Sequence, residues 1–148
     1  MTIEIKGMKE LNEKFDLLKT APDARKMRKV ILDSAEMIMY QVRDNIRRMV
    51  RKRTGLLAQS PIARGIKKGR RKGRNEAFVR IDRYLKGTYK GEDVIPNKYA
   101  HLVEYGTWGK YGKGVGFFRN AVDKTLPRAE RTIKIGLEKV LREIERRG

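Results

Sequence analysis

The chain has 148 residues, enough for one domain, and a domain of that size buries about 70% of its unfolded surface without covalent staples. It has no cysteine, which excludes disulfides and thiolate metal sites, and no apolar run near the roughly 20 residues that span a bilayer. Against 18 acidic residues stand 37 basic ones, a net charge of +19, which points to nucleic acid, an anionic surface or an acidic protein partner.

Thr2 to Lys6 alternates, with Ile3 and Ile5 on one face, and predicts a short strand ended by Gly7. It carries no apolar signal segment, so a protein made and assembled in the cytoplasm is expected. Met8, Leu11, Phe15 and Leu18 predict a first helix over 8–20, and Pro22 beside Asp23 opens the next. That next helix carries an apolar stripe of Met27, Val30, Ile31, Ser34, Ile38, Val42, Ile46 and Met49. Arg47, Arg48, Arg51, Lys52 and Arg53 follow, cations suited to a negative helix C-terminus, and Gly55 suits the left-handed position past the end.

Beyond Ser60 the period changes to two. Ile62 and Ile66, then Ala77, Val79 and Ile81, predict a hairpin with strands near 61–67 and 76–82. Its tip, 64–74, holds seven basic residues and no acid: Arg64, Lys67, Lys68, Arg70, Arg71, Lys72 and Arg74. Self-repulsion and glycines predict an exposed, mobile tip that contacts either DNA phosphates or an acidic protein rim. It has no aromatic side chain on which single-stranded bases could stack. Residues 84–96 lack periodicity and read as a loop. Asn97 is expected to cap a short helix through Tyr105, with Gly106 ending it. Helical spacing returns at Phe118, Val122, Leu126, Ala129, Ile133, Leu137, Val140 and Ile144, with a kink or break expected at Pro127.

The densest block is Tyr99 to Phe118, with six of the chain's eleven aromatics and five glycines. It is expected to form a folded elbow between helices. Tyr99, Phe117 and Phe118 are expected in the core. Tyr105, Trp108, Lys110 and Tyr111 are expected at a subunit interface, together with the Gly/Lys loop 109–116. Glu104 is expected to pair with Arg53 or Arg119. No catalysis is expected: His101 has no nucleophile at a recognisable spacing, and the adjacent acids Glu92 and Asp93 read as turn chemistry. The 109–116 loop matches neither phosphate-binding glycine spacing, and no cofactor or metal is expected.

Three blocks together resemble the head–tail joining (neck and tail-completion) proteins of long-tailed, lambda-like bacteriophages. The first is Arg53-Thr54-Gly55-Leu56-Leu57-Ala58-Gln59-Ser60, similar to an Arg/Lys-Thr-Gly-x-Leu-x-x-Ser signature. The second is Tyr99-Ala100-His101-Leu102-Val103-Glu104-Tyr105-Gly106-Thr107, similar to Tyr-Ala-x-x-Val-Glu-x-Gly-Thr. The third is Gly116-Phe117-Phe118-Arg119-Asn120-Ala121, where the family usually shows Pro-Phe-Leu-x-Pro-Ala; both prolines are replaced here. The signature residues are thus Thr54, Gly55, Ser60, Tyr99, Glu104, Gly106, Thr107 and Phe117. The resemblance implies a structural virion protein at the head–tail junction, a neck or tail-terminator component. It implies a homo-oligomeric ring, commonly six-fold, that meets connector and tail-tube proteins and encloses the path of genomic double-stranded DNA. The fold class read from the elements is α+β in one domain: a small, mostly antiparallel sheet with a basic-tipped hairpin, packed by two long helices.

Overall fold

The computed structural model describes residues 21–51, 53–65, 76–107 and 112–146. The expected N-terminal strand, the first helix, the tip from Lys67 to Arg74, and Trp108, Lys110 and Tyr111 lie outside the described residues. The elements in order are α1 (Ala21–Met49), α2 (Leu56–Gln59), β1 (Pro61–Gly65), β2 (Ala77–Ile81), β3 (Gly87–Tyr89), β4 (Glu92–Val94), α3 (Pro96–Tyr105) and α4 (Phe117–Glu145). Long helices and two small two-stranded sheets make the fold α+β, the class its sequence predicts.

The chain divides into two compact units. One draws on Met1–Ala35, Ala63–Phe78 and Pro127–Gly148, the other on Glu36–Ile62 and Val79–Leu126. In the first, Met27 of α1 packs with Ile133, Leu137 and Val140 of α4, edged by Ala24, Val30, Leu141 and Ile144. Ser34, polar but on the apolar stripe, is buried by donating its hydroxyl to the Val30 carbonyl at 3.0 Å, one turn back. Gly136 brings the helices close: a Cβ there would stand 2.5 Å from Val30 Cγ1 and 3.0 Å from Cγ2. Lys26 and Glu143 form an ion pair at the partly exposed edge.

In the second unit Ile38, Val42 and Ile46 continue the α1 stripe as buried residues, and Met39 joins them. Met49, the last stripe residue, is exposed where the helix ends. Of the terminal cations only Arg47 and Arg48 fall in the last turn, and Arg48 pairs with Asp44 one turn earlier at 3.0 Å. Gly55 is left-handed (φ 77°), but it precedes α2 rather than closing α1. The backbone between Met49 and Gly55 is not helical among the described residues, so the glycine serves the turn that follows.

β1 and β2 form the expected hairpin, closed at its base by the Asp82 N–H to the Ser60 carbonyl at 2.7 Å. The expected loop over 84–96 is instead a second hairpin. Gly87, Thr88 and Tyr89 of β3 pair antiparallel with Val94, Asp93 and Glu92 of β4. Its two-residue connection is Lys90-Gly91, both with positive φ (53° and 82°), the geometry that matches strand twist in tight hairpins. Three-residue strands with mostly exposed side chains leave no alternation to read, and Glu92 and Asp93 open the returning strand rather than forming the turn.

Two helix boundaries also differ from expectation. Ile95, not Asn97, caps α3, because Pro96 occupies the first helical position, where its missing N–H costs nothing. α4 runs unbroken through Pro127. Pro127 is exposed while Val122, Thr125, Ala129 and Ile133 are buried, so the hydrogen bond lost at the Asp123 carbonyl faces solvent and the buried stripe continues past it.

Candidate functional site

The first signature is a turn device. Thr54 accepts the Leu56 N–H on its hydroxyl oxygen at 3.2 Å, satisfying a donor at the start of α2. Leu57 is buried, and Ser60 is fully buried with its hydroxyl donating to the Leu57 carbonyl at 2.7 Å. Arg43, one of the residues sequence reasoning missed, reaches from α1 and donates to the Pro61 carbonyl at 2.8 Å and 3.2 Å. Sequence offered no cue to it beyond an Arg beside the apolar stripe. Leu56 in turn packs so close to Gly87 that any Cβ at 87 would collide with it.

The second signature ends α3 and starts α4. Gly106 (φ 80°) donates its N–H to the Leu102 carbonyl at 2.8 Å, and the chain then folds back on itself. The Val115 and Gly116 N–H groups satisfy the Val103 and Glu104 carbonyls at 2.8 and 3.0 Å, two of the open acceptors at the C-terminus of α3. Gly106 and Lys113 form a β-bridge there, and a Cβ on Gly106 or Gly114 would overlap the other's backbone. These two glycines are required by close approach.

Glu104 completes the elbow, and not as expected. Its carboxylate, on a residue only 6% exposed, accepts the Phe118 N–H at 2.7 Å and the Arg119 N–H at 3.0 Å, one on each oxygen. It therefore caps α4 from a distance and pairs with neither the Arg53 nor the Arg119 side chain. The positive end of the helix dipole and two fixed donors stabilise a buried carboxylate without burying a guanidinium beside it. Gly116, before Phe117, has no side chain to offer these N–H groups, and the Glu104 carboxylate supplies the acceptors instead. Asn45 adds a second tie, donating from Nδ2 to the Phe117 carbonyl at 3.0 Å while its oxygen accepts from Gln41 at 2.9 Å.

Phe117 is buried, as expected, and Tyr99 and Phe118 are half-buried. Burial pushes the Tyr99 phenol above its ordinary value. Thr107 has its hydroxyl buried with no partner among the described residues. Tyr105 lies on the opposite side of α3, 66% exposed, with Leu102 one turn before it at 43% and exposed His101 beside them. Arg64 is exposed at the end of β1. So the structure gathers Glu104, Gly106 and Phe117 into one elbow, places Thr54, Gly55 and Ser60 in another, and leaves Tyr105 facing out. No three His, Asp or Glu side chains converge among the described residues as a metal site would require, and no described helix is long and apolar enough to cross a membrane.

What the arrangement can do is present a capped helix end with Leu102 and Tyr105 exposed on the preceding helix. Among the described residues of the two elbows it brings together no nucleophile and base. The chain matches the model of a family described as "Bacteriophage HK97-gp10, putative tail-component" over residues 9–106, a span that holds the first signature and most of the second. No curated protein and no solved structure matches it.

Proposed function

Because the chain belongs to the HK97 gp10-like family of bacteriophage tail components, we propose that it joins or completes the tail at the head–tail junction as a ring of identical subunits. The observation that carries this reading is the exposed Leu102–Tyr105 face beside a helix end held rigid by Glu104. A closed ring needs a heterologous contact, one patch meeting a different patch on the next copy. Tyrosine is among the residues that anchor such contacts, and an anchor on a rigid element loses little entropy on docking. On their residue types alone, Trp108, Lys110 and Tyr111 are proposed as further contacts between subunits. The basic tip from Arg64 to Arg74 faces connector or tail-tube proteins, or the DNA that passes through the ring. The role is architectural, with no catalysis and no cofactor.

Electron microscopy and sedimentation velocity of the purified protein test it. Rings should form, and Leu102→Ser with Tyr105→Ser should dissolve them into folded monomers with unchanged circular dichroism. Rings that persist in the double variant would remove this face from the interface. Wild-type protein that stays monomeric, alone and when mixed with the neighbouring virion proteins, would remove the ring.

A further inference from the structure

The outer face of α4 lies beyond the residues matched to the family and takes no part in either elbow. Its buried side is Ala129, Ile133, Leu137 and Val140. Opposite them, Arg128, Arg131, Ile135, Lys139 and Arg142 recur at intervals of three and four residues and form one stripe along the helix. All five are exposed, and Ile135, at the middle, is 59% exposed. At 1.5 Å per residue the stripe is ~21 Å long. It is a positively charged ridge with one apolar side chain at its centre, and Ile135 is the sole exposed large hydrophobic among the described residues of its unit.

We propose that this ridge docks an acidic amphipathic helix of a partner protein, with Ile135 seated among the partner's apolar residues and the four cations meeting its acidic flanks. Charge complementarity selects an anionic partner. Two features select a protein over a duplex. A phosphate backbone gives no return for burying Ile135, whereas a partner helix packs against it. Exposed Glu138 flanks the stripe next to Lys139, where it would repel phosphates but can meet a basic residue on a protein. The inference does not depend on ring formation: the single chain already presents this face.

The test uses the full chain and a labelled synthetic peptide of about 14 residues, the length of the ridge, with leucines at heptad spacing and glutamates on either side. A second peptide of the same composition has its leucines scattered around the helix, and short duplex DNA is the third probe. Fluorescence anisotropy should show the patterned peptide binding at least about tenfold more tightly than the scattered one. Ile135→Ser should weaken it by a similar factor, as should Arg131→Glu with Arg142→Glu. Arg70→Glu with Arg71→Glu, in the hairpin tip, should leave it within about twofold; circular dichroism checks that each variant folds. Equal binding of the two peptides, or indifference to Ile135→Ser, would reduce the ridge to undirected charge and overturn the proposal. So would binding of the duplex but not the peptide through Arg131 and Arg142.

Discussion

Glu104 shows what one side chain can do in this chain. Its two oxygens hold two successive N–H groups at the start of α4, while its own carbonyl accepts from Gly116. The same residue therefore closes the end of one helix and the start of the next. Glu104→Gln keeps the volume but turns one acceptor into a donor aimed at a backbone N–H. Loss of a charge-assisted bond and an unmatched buried donor should cost about 1–3 kcal/mol in urea denaturation. An unchanged midpoint would mean that the cap contributes nothing. Ser60→Ala, which strips a fully buried hydroxyl from the Leu57 carbonyl, should cost about 1 kcal/mol by the same measurement. The glycines and the Thr and Ser of both signatures were visible in sequence because turn chemistry is local. Glu104's partner was not, because it is backbone: a helix terminus carries no residue-type signature that a distant carboxylate could be matched to.

The elements divide along the same line. α1 and α4 were legible because each repeats its period over 29 residues, and the first hairpin because it alternates. The second hairpin was not, since strands of three residues have too few side chains to show a period. Nor did Pro127 break α4, because its exposed position spares the buried face. The close crossing of α1 and α4 at Gly136 was also invisible to periodicity, since glycine contributes no apolar signal. Gly136→Ala gains about 1 kcal/mol of helix propensity but forces a Cβ against the stiff Val30 side chain, at an overpacking cost of about 1–3 kcal/mol. The single variant should be neutral to destabilised. Adding Val30→Ala should relieve the clash, so the two effects couple favourably by about 1 kcal/mol or more. Strict additivity of the two melting shifts would show that the helices do not touch there.

At the scale of the whole molecule, the charge and the proposed ring oppose each other. Every copy carries a net +19, so bringing copies together in water concentrates like charge. The proposed contact through Leu102 and Tyr105 is apolar and hardly depends on salt, whereas the repulsion is screened over about 10 Å at 0.1 M ionic strength. Two opposite salt dependences result. Self-association measured by sedimentation should strengthen as salt rises from about 50 to about 300 mM, because screening removes the opposing term. Binding of a polyanion should weaken over the same range: if all seven tip cations met duplex phosphates, log K against log salt would fall with a slope of about −6. An anionic partner would then do at low salt what screening does at high salt, neutralising the subunits so that the apolar contact can close the ring. The decisive measurement is self-association at about 50 mM salt with and without short duplex DNA or an acidic peptide. Rings that appear only with the polyanion would make neutralisation of the subunit charge the trigger for assembly. Rings that form equally well without it would show that the elbow contact outweighs the repulsion unaided.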